Sequence, residues 1–137
     1  MDIKAFFAEN NTQQTHKIAI SQRFKDKNAN PIEWEIRPLG EKEVDAIRKS
    51  CIINVKSKIG TRKEVNRDAV QAKLNAAAVV YPNLKDPDLL ASYKAVGPDD
   101  LLQTMLHFGE YARLSLFVSE ISGMSLDEDE AIDDIKN

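Results

Sequence analysis

The hydrophobic pattern changes its period at Gly40, and this change limits the folds that the chain can adopt. Before Gly40, apolar residues alternate with polar ones over residues 17–24 and 32–36, as in strands with one buried face. After Gly40, apolar residues recur every three or four positions, as in amphipathic helices. The segment DKNANP, residues 26–31, separates the two alternating runs and has the composition of a tight connection. The sequence therefore predicts an antiparallel β-hairpin followed by a mainly helical region.

Trp34 is the only tryptophan of the chain, and it lies between Ile32 and Ile36 in the second alternating run. A lone hairpin is marginally stable in water, so its apolar face needs a helical layer to cover it. We expect Trp34 to be buried between the hairpin and that layer, with a solvent-facing Trp34 that binds a partner as the alternative. On the polar face, cross-strand ion pairs are predicted for Lys17 and Arg23 with Glu33 and Glu35.

Capping and stop signals divide the rest of the chain into helices. Acidic residues follow Gly40, Asn66 precedes an apolar run, and Asp86-Pro87 and Gly97-Pro98 are typical helix starts. Residues 56–65 interrupt the helical pattern around Gly60, either as a basic loop or as a third short strand. The predicted helices span residues 3–10, 41–55, 67–81, 87–94, 98–107 and 110–122.

The length of 137 residues favours one domain with a real core. We predict a single globular α+β domain over residues 1–124, in which a small antiparallel β-hairpin packs on a predominantly helical C-terminal bundle. Residues 125–137 are acidic and poor in apolar side chains, which predicts a flexible, solvated tail.

The composition excludes several classes of protein. No apolar run is long enough to span a membrane, and the N-terminus lacks the pattern of a secretory signal, so no membrane partner is expected. Cys51 is the only cysteine, which excludes an internal disulfide and fits a reducing compartment. The formal net charge of −3 argues against a general nucleic-acid binder.

The charge is nevertheless unevenly distributed. Residues 17–63 carry twelve Lys or Arg against six Asp or Glu, a local charge of +6. A small regulatory protein that binds nucleic acid through this region is the alternative function. The run KSKIGTRK within it has no aromatic residues for base stacking, so nucleic acid is not the expected partner.

No catalytic, cofactor-binding or metal-binding motif is found. His16 and His107 lie far apart in sequence, and Cys51 falls on the apolar stripe of its predicted helix. The five glycines form no phosphate-binding loop, and DEDEAIDD lacks the Gly and closing Glu of a calcium loop. We therefore predict no catalytic residue, no cofactor and no metal, and we do not expect an enzyme.

Four segments together resemble the XkdN-like tail assembly chaperones of long-tailed bacteriophages and prophages. They cover most of residues 15–123, and the acidic tail lies outside the pattern that we recognise. The segments are SQRFKDKNANPIEWEIRPL, IRKSC, AAAVVYPNLKDPDLLASYKAVGPDDLL and MLHFGEYARLSLFVSEISG.

The resemblance implies a phage tail assembly chaperone, a non-enzymatic factor that acts in virion morphogenesis. It would bind the tape measure protein, keep it soluble, and help recruit subunits of the tail tube protein. It would act in the cytoplasm of the bacterial host and be absent from the mature virion. A homo-oligomer is compatible with such a role.

A chaperone without ATP must offer apolar surface to its client. The last predicted helix has more apolar residues than one buried stripe needs, although neighbouring elements that wrap it on several sides are an equal alternative. We expect the partner-binding surface to lie around Phe108, Tyr111, Leu116 and Phe117.

Overall fold

The computed structural model describes residues 2–12 and 14–123, so the predicted acidic tail lies outside the described residues. The predicted α+β class, with a hairpin and a helical C-terminal part, is confirmed. The strands are β1 (His16–Ile18), β2 (Trp34–Ile36), β3 (Ile52–Ser57), β4 (Gly60–Val65) and β5 (Val79–Tyr81). The helices are α1 (Glu41–Ser50), α2 (Arg67–Ala78), α3 (Pro87–Ser92), α4 (Pro98–Met105) and α5 (Phe108–Ile121).

The predicted hairpin forms, but its first strand is shorter than the alternating pattern suggests. Strand β1 pairs antiparallel with β2, which places Lys17 opposite Glu35. The Lys17 ammonium lies 3.7 Å from the Glu35 carboxylate, as predicted. Beyond Ile18 the chain leaves the sheet, and only an isolated bridge joins Lys25 to Pro31. The prediction of a strand over residues 17–24 was therefore too long, because this segment bends to bury residues against the helices.

A third strand completes this sheet, but it comes from a segment that the sequence pattern assigned to a helix. Helix α2 ends at Ala78, and β5 pairs antiparallel with β2, so the strand order is β1-β2-β5. The predicted helix over residues 67–81 was therefore wrong in its last turn. Val79 and Val80 are β-branched and precede Pro82, which favours an extended segment when a strand edge is available.

The predicted helix over residues 41–55 was also too long, because α1 ends at Ser50. The β-branched residues that follow it form β3, which pairs with β4 in a separate two-stranded hairpin. Of the two alternatives for residues 56–65, the strand is correct, because Gly60–Val65 forms β4, although β4 pairs with β3 and not with the first sheet. Gly60 lies beside the turn with a φ of 131°, a conformation that glycine adopts readily. We call residues 52–65 the basic arm, since it carries Lys56, Lys58, Arg62 and Lys63.

The N-terminal segment forms two short 3-10 turns, Ile3–Phe6 and Ala8–Asn10, rather than the predicted helix. None of its residues is buried, and Ile3 and Phe6 are 67% and 75% exposed. A helix of this length is only marginally stable in water without tertiary packing. The exposed N-terminal segment has no such packing, so it does not form the predicted helix.

The core lies between the three-stranded sheet and the helices. Trp34 is 2% exposed and lies 6.3 Å from Phe24 between ring centroids, which confirms the predicted buried position. Helix α2 is central, since it contacts α1, α4 and α5. Among the described residues, six apolar core residues have 0% exposure, namely Ile20, Ile36, Ala78, Leu101, Leu102 and Leu114.

Candidate partner-binding surface

Helix α5 contains all four predicted partner-binding residues, and the chain fixes its first turn through Glu110. The Glu110 carboxylate accepts a hydrogen bond from the backbone N–H of His107 at 2.7 Å, which satisfies a free donor at the helix start. The same carboxylate forms a two-point ion pair with Arg23, with distances of 2.6 and 3.0 Å. The Ser21 hydroxyl also donates to Glu110.

These contacts change the titration of Glu110. The hydrogen bonds from Arg23 are the main cause that lowers the pKa of Glu110 to about 2, and those from Ser21 and His107 act in the same direction. Arg23 also donates to the backbone carbonyl of Met105 at 2.8 Å. The predicted pairing of Arg23 with a glutamate across the hairpin was therefore wrong, because Arg23 turns towards the helical layer instead.

Two further contacts fix the middle and the end of α5. In the middle, the buried Asn75 amide of α2 donates to the Ser115 hydroxyl at 2.8 Å. At the end, the Ser122 hydroxyl accepts from the backbone N–H of Leu39 at 3.0 Å. The helix is thus held along its length by polar contacts on its inner side, and its outer side is left to the solvent.

The structure divides the four predicted residues into two pairs. Phe108 and Leu116 are exposed, at 92% and 46% of their surface. Tyr111 and Phe117 are partly buried and pack against the core. Phe117 also contacts the His16 ring edge to face, with 6.4 Å between centroids. Of the four residues, only Phe108 and Leu116 are therefore exposed enough to form such a surface.

Tyr111 has an unusual polar environment. Its hydroxyl is buried and forms no hydrogen bond of normal geometry with the residues that the structure describes. Burial is the main cause that raises the pKa of Tyr111, and it outweighs the opposite effect of the nearby Asn75 and Gln103 side chains. Tyr111 therefore serves the packing of α5 and is poorly placed to contact a partner.

The exposed residues form a line on the helix. Phe108, Ala112 and Leu116 follow one another at four-residue spacing, and all three are exposed. Residues at this spacing lie on one face of an α-helix. We call these three residues the α5 stripe. Ala112 was not predicted, although its spacing from Phe108 and Leu116 is the signal that could have identified it.

Over residues 2–12 and 14–123, no cluster of three or more His, Cys, Asp or Glu side chains could hold a metal ion. Cys51 is buried at the C-terminal end of α1. No helix in the same part of the chain is both long enough and apolar enough to cross a membrane.

Within the described residues, several basic side chains of the basic region form ion pairs. Of the twelve Lys and Arg residues between positions 17 and 63, five lie within ion-pair distance of a carboxylate. Most of these pairs are exposed and contribute little to stability. Only Arg23 and Arg62 pair with acids outside residues 17–63, so only two of the six net positive charges are offset by residues beyond the region. The paired residues are Lys17, Arg23, Arg37, Lys49 and Arg62.

The fold and the α5 stripe define a small α+β domain that presents an apolar helical surface. The chain belongs to the family of phage XkdN-like tail assembly chaperone proteins, whose family model matches residues 3–136. The match reaches into the acidic tail, further than the pattern that we recognised in the sequence.

Two relatives from Bacillus subtilis (strain 168) are similar over most of their length. The phage-like element PBSX protein XkdN is 29% identical over 124 residues, which cover 88% of this chain and 83% of that protein. The uncharacterized protein YqbN is 28% identical over 138 residues, which cover 97% of this chain and 92% of that protein. The crystal structure of the protein YqbN has the same fold, with a TM-score of 0.73 at 22% identity over 90% of this chain and 97% of that chain.

Proposed function

We propose that this protein binds the tape measure protein of a phage tail, keeps it soluble before assembly, and helps recruit tail tube subunits around it. Membership of the tail assembly chaperone family supports the general role. The exposed α5 stripe is the observation that supports the specific role, the binding of the tape measure protein. Phe108 is 92% exposed, although burying a Phe side chain is worth about 1.5–3 kcal/mol.

The stripe suits a helical client. An apolar line on one helix can pack against the apolar face of a second helix, with side chains interdigitating along both. Because α5 is fixed by Glu110, Ser115 and Ser122, it does not need to become ordered when the client binds. A preformed surface of this kind loses less conformational entropy on binding.

Membership of the tail assembly chaperone family suggests where the protein acts, and apolar binding suggests how. Binding of a client through apolar contacts needs no catalysis and no cofactor, which fits an assembly factor rather than an enzyme. The role is carried out in the cytoplasm of the host, before the tail is complete, and we expect the protein to be absent from the mature virion. A homo-oligomer formed through the α5 stripe would compete with the client for the same surface.

Co-expression with the tape measure protein tests this proposal. We expect the chaperone to raise the soluble fraction of the tape measure protein and to remain bound to it in a pull-down. Apolar contacts are not screened by salt, so the complex should survive physiological ionic strength. An unchanged soluble fraction would contradict the proposal.

Nucleic-acid binding through the basic region is the alternative that this experiment also addresses. Binding to duplex DNA through Lys and Arg side chains weakens steeply as salt increases, because counterions are released from the phosphates. A preparation that binds duplex DNA with a steep salt dependence and leaves the client insoluble would favour that alternative.

A further inference from the structure

A groove lies between α1, β4 and α2. Its volume is about 400 Å³. The floor is apolar, and guanidinium groups from α1 and α2 line the rim. The apolar residues are Val44, Val65, Val70 and Leu74, the rim residues are Arg48 and Arg67, and Gln71 also lines the groove. We call this the α1–α2 groove.

We propose that the acidic C-terminal segment of the same chain, residues 124–137, occupies the α1–α2 groove. Ile132 and Ile135 would contact the apolar floor, and neighbouring carboxylates would lie beside Arg48 and Arg67. This inference is independent of the proposed client and of the α5 stripe. It replaces the expectation from composition that the segment stays solvated.

Charge complementarity is the first observation in favour of this occupant. The Arg48 and Arg67 guanidinium groups form no ion pair or hydrogen bond with other residues in the described part of the chain, although both line an apolar groove. The C-terminal segment carries six Asp or Glu against Lys136, a local charge of −5. A carboxylate that pairs with an arginine beside an apolar surface gains more than it does in open water.

The place where the chain leaves α5 is the second observation. The hydrogen bond from Leu39 to Ser122 holds the end of α5 next to the start of α1. Val44 lies on the first turn of α1, about 4.5 Å along the axis from Glu41, and Arg48 lies about one turn beyond Val44. Nine extended residues span about 30 Å, so Ile132 can reach the groove without strain.

The pattern within the segment is the third observation. Ala131, Ile132 and Ile135 have the spacing of one helical face, and acidic residues flank them. The family match continues to residue 136, so this segment is part of the family pattern rather than an appendage to it. Attachment to the domain also gives the segment an effective concentration of about millimolar, which favours it over a segment of a second molecule.

A nitroxide placed in the segment tests the proposal in the full-length protein. Asp134→Cys provides an attachment site, and wild-type protein treated with the same nitroxide reagent shows whether the buried Cys51 reacts. We expect the spin label to broaden the backbone amide signals of Val70, Gln71 and Leu74 in ¹H–¹⁵N spectra. The signals of Phe108 and Ala112 in the α5 stripe, which do not line the groove, should keep their intensity.

Two matched variants show whether the predicted contacts cause the broadening. Ile132→Ser with Ile135→Ser removes the apolar contacts, and Arg48→Glu with Arg67→Glu reverses the charge of the rim. Each pair of substitutions should restore the groove signals. Because these four side chains lie outside the α5 stripe, solubility of the tape measure protein should be unaffected.

Several outcomes would overturn the proposal. Broadening that only decreases with distance from Gly123 would show that the segment has no preferred site. Broadening of the α5 stripe instead of the groove signals would place the segment on α5. Broadening that appears only when labelled and ¹⁵N-enriched molecules are mixed would mean that the groove binds a second copy.

Discussion

Arg23 and Glu110 form a two-point ion pair, with 2.6 Å between Nη2 and Oε1 and 3.0 Å between Nε and Oε2. Arg23 lies in the connection between β1 and β2, and Glu110 lies in the first turn of α5. The pair therefore joins the hairpin to the helix that carries the α5 stripe. Parallel hydrogen bonds between a guanidinium and a carboxylate fix orientation as well as distance, so this contact also sets the direction of α5.

Stability should fall in acid because of Glu110. Its pKa is about 2 in the folded protein and 4.5 when unperturbed, so the group favours folding while it is ionised in both states. This contribution is complete above about pH 4.5 and is lost as the pH falls towards about 2. Glu43 acts in the same direction, because hydrogen bonds from Arg37 lower its pKa.

Denaturant unfolding between pH 7 and pH 2.5 measures this effect. Glu110→Gln should lower stability at pH 7 and flatten the loss of stability in acid, since the variant has no carboxylate at this position. Arg23→Gln should flatten it as well, because Arg23 is the main cause of the lowered pKa. A wild-type slope in both variants would show that the ion pair does not contribute.

Removal of Trp34 should destabilise the whole domain. The side chain is 2% exposed and packs between the sheet and the helical layer, so Trp34→Ala should lower the free energy of unfolding by about 3–5 kcal/mol. Ile59→Ala is the control, because Ile59 is 99% exposed and should change stability by less than about 0.5 kcal/mol. Native fluorescence should be blue-shifted, and an emission maximum typical of indole in water would contradict the buried position.

The Tyr111 hydroxyl should be dispensable. A buried polar group without a hydrogen bond costs about 1–3 kcal/mol, so its removal in Tyr111→Phe should leave stability unchanged or raise it by about 1 kcal/mol. Tyr111→Ala should be strongly destabilising, because the ring packs against the core. Thermal unfolding distinguishes these results, and a clear loss of stability in Tyr111→Phe would mean that the hydroxyl has a partner.

The sequence predicted the parts of the fold that depend on local patterns. Alternation around Trp34 correctly indicated the hairpin and its buried face, and proline and acidic signals located the starts of α3 and α4. The failures lie where a distant partner decides between two conformations. Val79 and Val80 extend because β2 offers an open edge, and Ile52 and Ile53 leave the helix because β4 can pair with them.

The candidate site could also be predicted only in part, because contacts with distant residues decide which side chains of α5 are exposed. Composition indicates that α5 has more apolar residues than one buried, core-facing side needs, which correctly suggested that some of them are exposed. Periodicity alone does not show that the sheet covers one side of α5 while α2 covers another. Phe117 meets His16 of β1, and Ser115 meets Asn75 of α2, so neither exposure nor burial of these residues follows from the helix itself.

Substitutions in the α5 stripe separate binding from folding. Leu116→Glu and Phe108→Glu place a charge on exposed positions and should preserve the fold, as circular dichroism and thermal unfolding would show. Leu114→Glu is expected to unfold the domain, because Leu114 is fully buried two residues from Leu116. Ile59→Glu is the matched control for charge, since it adds a glutamate to an exposed apolar position on the basic arm.

The soluble fraction of tape measure protein, co-expressed with each of these folded variants, is the most direct measurement. We predict that wild type and Ile59→Glu keep the client soluble, whereas Leu116→Glu and Phe108→Glu lose most of this effect and the doubly substituted protein loses all of it. A doubly substituted, folded protein that keeps the client as soluble as wild type does would contradict the assignment of the α5 stripe as the client-binding surface.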